Sequence, residues 1–329
     1  MKEATVTDSN MATAAADSDM MTQYAAVRDG GVGLIDLSAR GRISVSGSEA
    51  VMFLNGLITN DLKPLDENRW MPAAFPNVQG RLLALVRIVR RAHDFLLDTE
   101  AATHDKVLKI IERFTLAGDF KVTDITQATA LISLQGRRAA EIVEKINHEE
   151  ISILPATHTA EKGFDLIVNT ERKAELWQTL VDSGATPVSE PVEEILRIEA
   201  GIARYGRDMD ESNVVTETNL DDAVSYTKGC YLGQEIIVRI KHRGHVAKKL
   251  TGLRFETEES IEPGAAIKST DNKEIGRVTS AVFSPKLQTT VALGYVRYEH
   301  LAPGTPVRVN DIVGATASLP HIRGSWYED

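Results

Sequence analysis

Residues 228–235 read Lys-Gly-Cys-Tyr-Leu-Gly-Gln-Glu, and Cys230 is the only cysteine in the chain of 329 residues. Two glycines around a thiol describe a tight loop in which main chain can approach another group closely. Lys228, just upstream, supplies positive charge that favours thiolate over thiol and makes Cys230 a better nucleophile and metal ligand at neutral pH. The plainer reading of a lone cysteine is an inert, buried side chain. A single thiolate cannot hold an iron–sulfur cluster, which takes about four protein ligands. Cluster chemistry at Cys230 would therefore borrow ligands from a partner or a small thiol.

Glu199 is the second candidate. Ser189 can cap a helix over 190–203, Pro191 is tolerated in its first turn, and Val192, Ile195, Leu196 and Ile202 form its apolar stripe. Glu199 falls on that stripe. A carboxylate on a buried helix face costs several kcal/mol unless paired or hydrogen-bonded, so it requires a partner. Two partners meet that demand: an arginine, or a ligand edge with two adjacent N–H donors such as a pterin ring nitrogen and 2-amino group.

The elements that position these residues follow an α+β pattern. Residues 1–22 are rich in Ala, Ser, Thr, Asp and Met without periodicity and read as a disordered tail. Ile43–Val45 and Leu82–Val89 read as strands. Helices are expected from Ser46–Glu49 onward, with Ala50, Phe53, Leu54 and Leu57 on one face, and over about 103–116, 137–147 and 171–183. The run Ile236–Ile240 after the cysteine loop reads as a strand. From about 248 short β-rich runs are punctuated by Pro263-Gly264, Asp271-Asn272, Ser284-Pro285 and Pro303-Gly304, the pattern of a small barrel.

Charge and composition remove several function classes. Lys plus Arg number 37 against 47 Asp plus Glu, a formal charge of −10, so the molecule as a whole repels nucleic acid and anionic membranes. Direct binding of nucleic acid is not expected, and any anion must meet a local basic patch. One runs from Arg239 through Lys241, His242, Arg243 and His245 to Lys248 and Lys249. No apolar stretch is long enough to span a bilayer and the first residues lack a signal core, which points to a cytoplasmic protein without membrane association. G-x-S-x-G, phosphate-loop, H-E-x-x-H and C-x-x-C motifs are all missing from the sequence.

The 228–235 stretch resembles the K-G-C-[YF]-x-G-Q-E signature of YgfZ-type proteins, whose mitochondrial relatives mature iron–sulfur enzymes. Further blocks agree in order: NGLITNDL from Asn55 to Leu62; Arg197-Ile198-Glu199-Ala200-Gly201 continuing to Tyr205-Gly206 and Asp208; and Ile275–Ser280 with Ser284-Pro285 and Ala292–Val296. These proteins are similar in fold to the T-protein of glycine cleavage. The resemblance implies an α+β chain with two ferredoxin-like, intertwined lobes over 23–247 and a C-terminal β-barrel over 248–329, arranged around a central folate pocket.

It further implies that Glu199 grips the pterin of tetrahydrofolate or a derivative, and that Lys228, Cys230, Tyr231, Gln234 and Glu235 line or flank the pocket. Arg239 and the basic run after it would meet the folate glutamate tail. The implied function is support of iron–sulfur cluster assembly or repair, with Cys230 and Lys228 as the working groups. The implied partners are folate, assembly factors and client proteins such as tRNA-modifying radical enzymes. One departure bears on activity. Where the T-protein carries an Asp-Asp pair, one of which serves aminomethyl transfer, this chain reads Gly80-Arg81-Leu82-Leu83-Ala84-Leu85. A folate-dependent one-carbon transferase would need a relocated acid, for which Asp208 and Glu235 are candidates. A docking module using the basic run is the remaining alternative.

Overall fold

A computed structural model describes residues 18–116 and 118–328. The chain divides into two compact units. One takes the chain up to Leu37, Leu131–Ile202 and the residues from Ile322; the other takes Ser38–Ala130 and Ala203–His321. The α+β plan of two sheet lobes and a C-terminal barrel is the fold of this chain.

In the first unit, strands β1 (Gly33–Asp36), β7 (Thr129–Gln135), β8 (Ser152–Pro155), β9 (Gly163–Asn169) and β10 (Thr186–Pro187) form a sheet in the order β10-β1-β7-β9-β8. β1 runs parallel to β10 and antiparallel to β7. The unit's helices are α1 (18–28), α4 (Ala139–Val143), α5 (Lys173–Asp182) and α6 (Glu190–Glu199). Of the expected 1–22 tail, 1–17 lie outside the described residues, and 18–22 are helical. α1 exists because it has an apolar face to bury: Tyr24 and Val27 pack with Val192 and Leu196 of α6. Ser189 takes the extended N-cap conformation of α6 but makes no side-chain cap bond. α6 ends earlier than its apolar stripe suggested, at Glu199, because Gly201 turns to φ +70.

The second unit holds an antiparallel sheet in the order β3-β4-β5-β2-β6: β2 (Gly41–Ser46), β3 (Trp70–Pro76), β4 (Leu82–Arg90), β5 (Phe95–Thr99) and β6 (Lys121–Asp124). Helices α2 (Ala50–Leu57) and α3 (Ala101–Glu112) cover it through Leu54, Val107 and Ile111, which share one core with Ile43, Val86 and Leu97. The unit also contains helix α7 (Gln234–Arg243) and a closed barrel, β11-β14-β13-β12-β15-β16. Its strands are β11 (Lys248–Phe255), β12 (Ala266–Lys268), β13 (Glu274–Ser284), β14 (Thr289–Arg297), β15 (Pro306–Val309) and β16 (Ile312–Ala317). Leu253, Val278, Ala292 and Val296 point into it. Closure leaves no unpaired strand edge.

The run Ile236–Ile240, expected as a strand, lies inside α7. Its β-branched residues favour a strand only where a pleated surface receives them. Here Gly233 turns the chain at φ +77 and Ile237 is buried beside Leu82 and Ala74, so one face of a helix is covered instead. Among the described residues no helix is long and apolar enough to cross a membrane.

Candidate functional site

The cysteine loop is built from the bottom by three anchors. Lys228, 9% exposed, sends its ammonium to the carbonyl oxygens of Asn55 and Ile58 at 2.9 Å each and of Asn60 at 2.5 Å. These carbonyls belong to the end of α2 and the turn after it, where main-chain acceptors lack helical partners. Tyr231 is buried in the core that contains Leu82 and Ile237, with the Lys228 ammonium 5.1 Å from its ring centroid. The Leu232 N–H donates to the Gly56 carbonyl at 3.1 Å. Gly233 must be glycine: besides its left-handed φ, a Cβ there would stand 2.3 Å from the Asn77 carbonyl oxygen.

Between these anchors Cys230 is exposed. No hydrogen bond joins it to Lys228 among the described residues, so the lysine expected to attend the thiol is committed to main chain. Burial pushes the Lys228 ammonium down to about 8, with Asp61 pulling the other way. Burial likewise pushes the Tyr231 phenol up to about 12, Tyr226 adding to it, and its hydroxyl has no partner among the described residues. Beyond the loop Gln234 is half-buried, while Glu235 and Arg239 are exposed on α7. Glu235 sits in the first turn of α7, where a negative charge suits the helix dipole.

The structure thus gathers Lys228, Cys230, Tyr231, Gln234, Glu235 and Arg239 on one loop-and-helix segment of the second unit. The basic run is split: Arg239, Lys241 and His242 ride on α7, His245 stacks on Tyr298 at 3.9 Å, and Lys249 meets Asp221 at 2.7 Å.

Glu199 belongs to the first unit. Its side chain is fully buried; Oε1 accepts the Tyr24 hydroxyl at 2.8 Å, and Oε2 accepts Nε and Nη2 of Arg28 at 3.0 and 2.8 Å. Arg28 extends the network through Nη1 to the Thr159 carbonyl at 2.6 Å and to Glu161 at 3.0 Å. Glu161 in turn accepts from the N–H and hydroxyl of Ser325. Burial, reinforced by the Glu199 charge, pushes the Tyr24 phenol well above its usual range and keeps it a donor. Of the two partners a buried carboxylate could have here, the arginine is present.

Tetrahydrofolate can be tested against this arrangement. A pterin offers paired N–H donors, and Glu199 is its implied acceptor, yet both carboxylate oxygens already serve donors of this chain. As folded, Glu199 does not present itself to a pterin edge. Arg28 and Tyr24 escaped sequence reading because the helix bearing them adjoins the Ala- and Ser-rich start. Their i, i+4 spacing, which sets both on one helical face, was the available signal.

The position of the missing acid pair is also defined. Leu82 and Ala84 are buried in β4, and Arg81, exposed, donates to the Ser212 carbonyl. Asp208, a candidate relocated acid, is 1% exposed and accepts from the Thr279 and Ser280 hydroxyls at 2.6 and 2.7 Å and from the Arg204 N–H at 2.9 Å. It fastens the 204–208 turn to β13. Among the described residues no group of three or more His, Cys, Asp or Glu side chains is placed to hold a metal ion.

The fold agrees with comparisons to known proteins. The chain belongs to the glycine cleavage T-protein family: residues 12–155 and 146–228 match the GCVT N-terminal domain, and 248–317 match the glycine cleavage T-protein C-terminal barrel domain. It is 28% identical to an aminomethyltransferase of Thermotoga neapolitana, over 94% of this chain and 91% of that protein. It is 30% identical to an aminomethyltransferase of Rubrobacter xylanophilus, over 80% and 76%. A putative chloroplastic transferase of Arabidopsis thaliana is 27% identical, over 89% and 72%. The crystal structure of the glycine cleavage system aminomethyltransferase T from Bartonella henselae superposes with a TM-score of 0.85 at 24% identity, over 92% of this chain and 90% of that one, a likeness of fold.

Proposed function

We propose that this chain is a tetrahydrofolate-binding protein that supports assembly or repair of iron–sulfur clusters in client enzymes, with the Cys230 thiol as its working group. The observation that carries this reading is the presentation of Cys230. It is exposed on a loop whose neighbours are fixed by the Lys228 clamp, the buried Tyr231 ring and the Gly233 turn. A reactive group held on a rigid frame is what transfer chemistry requires. The cluster would be cargo, completed by ligands from the client or a small thiol. Folate enters through family membership, and its contact with Glu199 requires the Arg28 fork to open.

The second reading, a folate-dependent one-carbon transferase, is favoured by the relatives' names, several of which are aminomethyltransferases. Against it stand the apolar start of β4 where the acid pair would be and the engagement of Asp208 in a structural turn. Glu235, exposed at the start of α7, is the remaining carboxylate for that role.

Calorimetric titration with tetrahydrofolate tests the ligand common to both readings. Saturable micromolar binding that Glu199→Gln weakens supports folate held at Glu199. Absence of binding to the unmodified protein removes folate from the proposal. Turnover of methylene-tetrahydrofolate with an amine acceptor, abolished by Glu235→Gln, would replace the first reading by the second.

A further inference from the structure

Three cations on the outer face of the barrel, Lys248, Arg277 and Arg297, make no ion pair within 4 Å among the described residues. In the β11–β14 register Lys248 lies directly opposite Arg297, and in the β13–β14 register Arg277 lies opposite Tyr295. Residues two apart on a strand share a face, so Arg297, Tyr295, Arg277 and Lys248 sit together on the side away from Val296 and Val278, which fill the barrel core. Like charges directly across a strand pair destabilise it. Lys249, next in sequence, is paired with Asp221; Lys248, Arg277 and Arg297 make no ion pair among the described residues.

These side chains line a cavity of about 570 Å³ closed on another side by the 207–213 loop. Its lining also includes Arg207 and the carboxylates of Asp208, Asp210 and Glu274. Asp210 accepts the Ser212 N–H at 2.7 Å, and this bonding, with the added pull of Arg277 and Lys248, holds it below the usual carboxylate range. Tyr295 is 6% exposed and its hydroxyl has no hydrogen-bond partner among the described residues.

From the cavity, three cations without an ion pair among the described residues and a buried phenol hydroxyl without a hydrogen bond, we infer that this is a binding site for a small phosphorylated ligand, held by Lys248, Arg277 and Arg297. Two guanidinium groups and an ammonium offer more N–H donors, from more directions, than one planar carboxylate accepts, whereas a tetrahedral phosphate takes them readily. The volume lies within the roughly 300–1,000 Å³ of small-molecule sites and exceeds what a bare ion fills, so the ligand carries an organic portion within reach of Asp210 and Glu274. All its residues belong to the second unit; Lys248 is shared with the basic run expected at the folate glutamate tail, whereas Arg277 and Arg297 are not, so Arg297→Gln separates this site from the folate reading.

Thermal unfolding of the full chain in rising inorganic pyrophosphate, at ionic strength held constant with sodium chloride, tests this, with succinate as the carboxylate control. The unmodified protein is expected to show a saturable rise in midpoint with pyrophosphate and little with succinate. Lys248→Gln/Arg297→Gln should weaken the pyrophosphate response about tenfold or more while its ligand-free midpoint holds or rises, because a like-charge pair has been removed. Arg297→Gln alone serves if the double variant does not fold. No saturable rise, an equal rise with succinate, or an undiminished response in the variant would overturn the site.

Discussion

Arg28 and Glu199 meet inside the first unit with both side chains fully buried and two guanidinium nitrogens, 3.0 and 2.8 Å away, converging on one carboxylate oxygen. The pair ties α1 to α6, and through Glu161 it reaches Ser325 near the chain's end. Removing Glu199 leaves the buried Arg28 guanidinium with Glu161 as its remaining ion partner among the described residues. Glu199→Ala is therefore expected to lower unfolding stability by about 3 kcal/mol, the lower end for a broken buried pair, read as a drop in the urea midpoint. Glu199→Gln, which keeps the volume and one acceptor, should cost less and is the variant suited to ligand titration.

Lys228 is an anchor whose charge is costly. Its folded pKa, about 8, lies below the ordinary 10.5, so between those values the unfolded chain binds more protons and this residue's contribution to stability rises with pH. The slope is at most about 1.4 kcal/mol per pH unit. Relative to Lys228→Met, the unmodified protein should gain stability as pH rises from about 8 towards 10.5. Near pH 7 the variant should be about 2–4 kcal/mol less stable, because the carbonyls of Asn55, Ile58 and Asn60 lose their donor. Denaturant unfolding of both proteins across that range measures each effect.

Gly233→Ala places a side chain at φ +77 and against the Asn77 carbonyl. A loss of more than about 1 kcal/mol is expected, with altered thiol accessibility at Cys230 as the loop shifts. Unfolding and the rate of labelling by a thiol reagent report the two consequences.

The barrel was legible because its turns announce themselves: Asn272 at φ 62, Gly264 at +90 and Gly304 at +85 adopt left-handed conformations at the sequence's own breaks. The α7 helix was not, since Ile-Ile-Val favours a strand locally and only burial of Ile237 beside Leu82 reverses that. The demand that Glu199 have a partner was readable from its helix face, whereas the partner's identity depended on a helix hidden next to a low-complexity start. The Lys228 clamp was unreadable, because its acceptors are main-chain carbonyls far upstream that carry no side-chain signature.

The measurement that bears most directly on the proposed role is the activity of a cluster-dependent radical enzyme, such as one that thiomethylates tRNA, in cells lacking this protein and supplied with the unmodified chain or Cys230→Ala. Because Cys230 is exposed, the variant should fold with stability within about 0.5 kcal/mol of the original. Restored client activity with the unmodified chain and none with folded Cys230→Ala is the expected result. Full activity with Cys230→Ala would contradict the role assigned to the thiol.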